Sequence, residues 1–201
     1  MKRKFLALVF PLLVTTILSS LTSANALAQS RKVPLEPGRI YTNLTTKFAF
    51  PPKIADFIRE PDLTEFDPAG KDIGIGYNDI LHNIAATVFV YPMAQEPPND
   101  TLKGHFEMCK KEVMDKHADV KLADQGKTTI SPGGKKQVGL HATFTFTGTF
   151  ALRKQQPLRS EVYLFSSGKS FVLYRFTYPA ERQATSEAAV KTFVDGLEWP
   201  K

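Results

Sequence analysis

Between Val138 and Leu152 the chain alternates with a period of two. Val138, Leu140, Ala142, Phe144, Phe146, Gly148, Phe150 and Leu152 fall on one side, while Gln137, Gly139, His141, Thr143, Thr145, Thr147 and Thr149 fall on the other. Successive side chains of a strand point to opposite faces, so this run predicts a long strand with one buried and one polar face, as in an antiparallel sheet. The threonine face is then either solvated or the lining of a shallow polar groove. Any fold for this chain must accommodate that strand.

Its neighbours supply the rest of a sheet. Phe48-Ala49-Phe50 alternates until Pro51-Pro52 stops it, and Ile54 to Arg59 reads as a short strand before an acidic, turn-rich stretch from Glu60 to Asp72. Ile73 to Tyr77 and Ile84 to Tyr91 read as strands, the second ended by Pro92, which cannot donate to a ladder. Glu161 to Ser166 and Ser170 to Tyr178 form a hairpin through Ser167-Gly168-Lys169. Asn99 or Asp100 caps a helix whose apolar stripe is Leu102, Phe106, Cys109, Val113 and His117, and Pro132-Gly133-Gly134 marks a turn. A second helix near Thr185 to Leu197 offers Ala189, Val190, Phe193 and Leu197, with Trp199 beyond it. Grouped strands with helices between the groups predict an α+β fold: a mostly antiparallel β-sheet flanked by two principal helices.

The N-terminus carries a different message. Lys2-Arg3-Lys4 precedes an uncharged run from Phe5 to Leu21, followed by Ala24-Asn25-Ala26-Leu27-Ala28. Basic, apolar and small-residue segments in that order read as a cleavable secretory signal peptide over residues 1–28, with cleavage between Ala28 and Gln29. The alternative is a membrane anchor, but a span wants about 20 predominantly apolar residues and this run is interrupted by Pro11 and rich in Thr and Ser. Three of the six net positive charges belong to Lys2, Arg3 and Lys4, so the remaining chain is near +3 and its charge does not point to nucleic acid. Residues 29–46 read as a partly mobile lead-in and 47–201 as a single domain. That domain holds the one cysteine, Cys109, so its core must suffice without an internal disulfide. The expected destination is the periplasm or the cell exterior.

No Gly-rich phosphate loop, G-x-S-x-G elbow, H-E-x-x-H or paired C-x-x-C is present. Three groups carry what chemistry there is. His105, Cys109 and Glu112 stack at successive helical turns and could present ligands to a metal; Cys109 equally reads as a small core residue with polar neighbours. Seven carboxylates between Asp56 and Asp79 read as a solvated acidic loop or as oxygen ligands for calcium. Lys135, Lys136, Arg153, Lys154 and Arg159 read as a basic rim that would steer an acidic partner. Asn43-Leu44-Thr45 and Asn99-Asp100-Thr101 match glycosylation sequons.

Phe48-Ala49-Phe50-Pro51, Val88-Phe89-Val90-Tyr91-Pro92, the capped helix, the long alternating strand, Tyr174-Arg175-Phe176-Thr177-Tyr178-Pro179 and a closing helix with Phe193, Leu197 and Trp199 follow one another in an order that resembles the PsbP-like superfamily. That superfamily includes the photosystem II extrinsic protein and exported bacterial proteins of unknown role. The resemblance implies a central antiparallel sheet, no shared enzymatic activity and an accessory or partner-binding role, and it transfers no metal-binding residue to this chain. The expectation is therefore an exported, non-catalytic binding or accessory protein with a protein partner in the cell envelope and no cofactor. A small-molecule or metal-ion carrier is the alternative. A hydrolytic enzyme built on His141, Thr143 and an unplaced carboxylate is the third reading.

Overall fold

A computed structural model describes residues 30–93 and 101–200. The long strand is there: β9, Gln137–Phe150, runs antiparallel to β8, Lys121–Ile130, on one side and to β10, Arg153–Ser167, on the other. β10 turns at Gly168-Lys169 into β11, Ser170–Pro179, with Gly168 in the left-handed conformation that a glycine adopts without strain. The remaining strands are β1, Arg31–Pro34; β2, Tyr41–Thr42; β3, Ala49–Phe50; β4, Lys53–Ile54; β5, Phe57–Glu65; β6, Ile73–Asp79; and β7, Ile84–Pro92. Nine of these strands form one sheet in the order β1-β5-β6-β7-β11-β10-β9-β8, with β4 paired to β5, and β2 pairs with β3 beside it. Every pairing is antiparallel. Helix α1, Thr101–Lys116, covers one face, and helix α2, Gln183–Gly196, covers the other. The fold is α+β, as expected.

The register sorts the side chains between the helices. On the α2 face lie Ile73, Ile75, Tyr77, Val88, Tyr174 and Phe176 with Phe193 of α2 among them, a continuous aromatic and aliphatic core. The ring of Phe193 sits 4.6 Å from Phe57, 5.2 Å from Tyr77 and 5.5 Å from Phe176, centroid to centroid. On the α1 face, Phe106, Cys109 and Val113 pack on Ala142, Phe144, Val162, Leu164 and Phe171, a smaller cluster that spans β9, β10 and one end of β11.

Several expectations need correction. Ile54 to Arg59 is not one strand, because the chain turns at Ala55-Asp56 between β4 and β5. The acidic stretch from Glu60 is a strand as far as Glu65. Its ladder to β6 shifts register between Arg59 and Leu63, so Pro61 sits where no donor is needed, and its carbonyl accepts the Leu35 N–H at 2.7 Å. Residues 31–34 and 41–42 of the lead-in pair with β5 and β3, and Arg59 ties the segment down by donating to the Phe50 and Glu36 carbonyls. Asn43 is only 2% exposed, with its amide donating to the Gly70 carbonyl, which removes it as a glycan acceptor. Leu152 is not a core residue; it stands 98% exposed past the end of β9, while Thr143, expected on the polar face, is buried. The helix cap at Asn99 or Asp100, the second sequon and the cleavage point at Ala28 and Gln29 lie outside the described residues.

Candidate functional site

Helix α1 is too short to cover its face of the sheet. It packs on β9 and β10, and beyond it β7, β11 and the β5–β6 turn enclose a cleft of about 450 Å³. Phe66, Phe89, Val162 and Leu173 give it an apolar floor; Tyr91, His105 and Cys109 line one wall; Lys116 and Arg175 bring cations, Asp72 and Glu112 carboxylates. β6 contributes Gly74 and Gly76 on this side, and the missing side chains let larger ones lie flat. A Cβ on Gly74 would meet the Phe89 ring at 3.0 Å, and one on Gly76 would meet the Glu60 carboxyl at 2.4 Å.

Each polar group here is shaped by partial burial. Tyr91 Oη and His105 Nε2 share a 2.7 Å hydrogen bond, and the imidazole stacks on Phe171 with centroids 4.3 Å apart and planes 5° from parallel. Burial holds His105 below the usual histidine range, against the pull of Glu112. Burial likewise pushes the Cys109 thiol up to about 11 and raises Tyr91 well above the ordinary phenol. Asp72 is raised, first by burial and then by Asp67 nearby. Burial also lowers Arg175, with Glu112 opposing the shift through space. Neither the Arg175 nor the Lys116 side chain makes a hydrogen bond or ion pair with any described residue, which is unusual for a guanidinium half-withdrawn from water.

His105, Cys109 and Glu112 therefore line one cleft together, as the helical spacing requires. Cys109 is a buried thiol on the apolar stripe, and among the described residues no three ligating side chains gather closely enough to hold a metal ion. The basic rim is not one surface. Lys135 and Lys136 precede β9 while Arg153 and Lys154 begin β10, at opposite ends of a 14-residue strand about 45 Å long. Arg159 lies between them on the α2 face, 3.6 Å from Glu187. The acidic stretch is dispersed too: Glu65 pairs with Arg31, Asp79 with His82, and Asp67 closes its own turn onto the Lys71 and Asp72 amides.

A second groove, about 370 Å³, opens on the α2 face beside β8 and β9. Here the threonine face does line a polar groove in part, through Thr143 with Thr128 and Thr129. Asp124 supplies the carboxylate missing from the hydrolase reading, 2.9 Å from His141 Nε2. His141 Nδ1, however, is buried without a partner among the described residues, so no hydrogen bond joins it to Thr143. The other charges of this groove are engaged as well. Arg159 meets Glu187, and Glu161 accepts the hydroxyls of Tyr163 and Tyr178. The α1-face cleft is where charge stands unpaired.

Sequence reasoning counted Arg175 only among the basic residues of the C-terminal half, as one residue of a strand, and missed the cleft around it. A signal existed in Ile73-Gly74-Ile75-Gly76-Tyr77: alternation of bulky residues with glycine marks a sheet face stripped of side chains.

No family model matches the sequence, and a comparison with curated proteins returns no match. Among solved structures the chain is similar to a Pseudomonas aeruginosa protein of unknown function, at 11% identity and a TM-score of 0.43 over 83% of this chain and 99% of that one. It is similar to the Ran-binding protein Mog1p of Saccharomyces cerevisiae at 12% identity and a TM-score of 0.36, over 86% of each chain. It is also similar to the cyanobacterial PsbP of Synechocystis sp. PCC 6803, at 10% identity and a TM-score of 0.46 over 88% of this chain and 96% of that one, which is the resemblance its order of elements suggested.

Proposed function

We propose that this is an exported, non-catalytic binding or accessory protein, and that its α1-face cleft holds a small amphipathic anion. The observation that carries the reading is Arg175, a guanidinium without an ion pair on the wall of a cleft with an apolar floor. A desolvated, unpaired cation is costly until an anion meets it, and the planar guanidinium suits a carboxylate or phosphate bidentately. Lys116 adds a second positive charge on the same side, while Glu112 and Asp72 make any other orientation of the anion unfavourable. The volume fits a small-molecule ligand with its apolar body on Phe66, Phe89 and Leu173. The basic, apolar and small-residue order of residues 1–28 supports export, with the periplasm as destination. The partner role belongs to the same reading: an accessory protein that presents or senses a ligand in the envelope.

Native mass spectrometry of the protein recovered from its own envelope tests this. The expected spectrum shows an adduct that disappears in Arg175→Met, a variant that keeps volume in the wall and removes the charge. Affinity for the released ligand should fall about 10- to 100-fold, the worth of one charge-assisted hydrogen-bonded contact. A bare mass for the parent protein sinks the carrier reading.

A further inference from the structure

β9 and β10 outrun the sheet. β10 pairs with β11 only from Leu158 onward, and β8 pairs with β9 only as far as Thr145, so the outer part of the hairpin, Gly148 to Pro157, is a two-stranded ribbon with its own ladder, and at its root the Thr147 N–H donates to the Asp119 carboxylate at 2.8 Å. It projects about five residues, or roughly 15 Å, past the end of β11. Its tip is unusual in two independent ways. Ala151 and Leu152 both take the left-handed conformation, with φ of 46° and 67°, and Gln155 follows at 52°, although none is glycine. The side chain held outward by that turn is a leucine, 98% exposed and thus surrounded by water. A glycine or asparagine would satisfy the backbone at lower cost and without an apolar group in solvent. Gln156 nevertheless closes the tip by donating to the Phe150 carbonyl at 2.6 Å, so the presentation of Leu152 is fixed.

Charge completes the pattern. From Thr147 to Pro157 there is no acidic residue, and Arg153 and Lys154 directly follow the leucine, both exposed. Arg153 has only a 4.0 Å approach to the equally exposed Glu181, an interaction that water largely screens. We propose that the β9–β10 tip is a membrane-contact element: Leu152 enters the interfacial region of an anionic phospholipid surface while Arg153 and Lys154 lie against its headgroups. One leucine and two cations make a weak, reversible attachment, since stable anchoring needs more apolar area than this. The cleft around Arg175 lies on the α1 face and takes no part in it.

Sedimentation with vesicles tests the idea, with phosphatidylglycerol–phosphatidylcholine vesicles compared with phosphatidylcholine alone. The protein as recovered from the envelope should prefer the anionic vesicles, and about 0.5 M salt should remove most of that preference. Leu152→Gly should lower binding about tenfold, the partition of one leucine side chain. Because glycine suits φ of 67°, its thermal midpoint should stay equal or rise, which separates lost contact from lost folding. Arg153→Ser combined with Lys154→Ser should abolish the anionic preference. Equal binding of parent and Leu152→Gly, or equal binding to both vesicle types, overturns the proposal. So does loss of an envelope protein from the Leu152→Gly variant while its vesicle binding is unchanged.

Discussion

The two faces of the sheet are built to opposite purposes. On the α2 face the tyrosines and the tryptophan of the core find partners inside the packing, although His141 Nδ1, Arg159 Nε and Ser186 Oγ are buried there without one. Trp199 donates to the Tyr174 hydroxyl at 2.9 Å, Tyr77 donates to the Pro51 carbonyl at 2.9 Å, and Glu161 accepts two tyrosines. Phe193 meets four other rings there, and of these only Phe57 borders a surface groove, at its edge beside Ala188 and Ala189. On the α1 face a single helix covers half the sheet, two glycines flatten the other half, and the side chains of an arginine and a lysine make no ion pair with any described residue, Glu112 acting on the arginine only through space. A domain of this size gains its stability from one contiguous core, and here the α2 face holds it. The α1 face is left free to keep a cleft, the one proposed to hold an anion.

The largest test of that division is truncation at matched positions. Phe193→Ala should cost about 4 kcal/mol in denaturant titration, because its ring is wholly buried among rings that cannot collapse into the space. Leu173→Ala in the cleft, where the side chain already borders open volume, should cost clearly less and should weaken ligand binding instead. Equal losses from the two would show the cleft to be part of the structural core.

The same division explains what could be read in the chain beforehand. The buried halves announce themselves by period: Phe144 and Phe146 in β9, Phe106, Cys109 and Val113 in α1, Val190 and Phe193 in α2 all sit where alternation or helical spacing places them. β8 was illegible because it is an edge strand whose side chains are almost all exposed, so its order comes from the β9 backbone and leaves no hydrophobic period. Leu152 misled because alternation continues through it, although two residues in the left-handed conformation turn the chain before it can be buried. Of the cleft, the helical set His105, Cys109 and Glu112 was legible from spacing. Arg175 was not, since nothing local records that the helix opposite stops short.

Cysteine reactivity sharpens the contrast between packed and open parts of the α1 face. Cys109 borders the cleft, yet burial raises its thiol to about 11, so few molecules carry the reactive thiolate at neutral pH. Alkylation at pH 8 should run about 100-fold slower than for a free cysteine and accelerate to the free rate in denaturant. Prompt labelling in the native protein would mean that α1 opens readily from the sheet, and the cleft would then be an entrance rather than a fixed cavity. A bound anion that steadies α1 should slow the labelling further.

The smallest expected effect is a pH dependence that belongs to the α1 face. His105 and His117 are both held below the usual histidine range. For His105 the main cause is burial, opposed by Glu112; for His117 it is burial, then the positive charge of Arg175, with Asp119 opposing and Lys116 assisting. In the unfolded chain both take up a proton at their ordinary value of about 6.5. The unfolded state thus binds more protons than the folded one across the interval below that value, and stability must fall as pH falls through it. Urea midpoints measured between pH 7.5 and 5 should show this decline, and His105→Gln should flatten it, since glutamine keeps a hydrogen-bonding group near Tyr91 without titrating. Occupying the cleft with an anion should shift the balance the other way, because a negative group near Arg175 makes a protonated His117 easier to tolerate. If ligand leaves the slope unchanged, the anion does not sit beside Arg175, and the cleft and its histidines are independent.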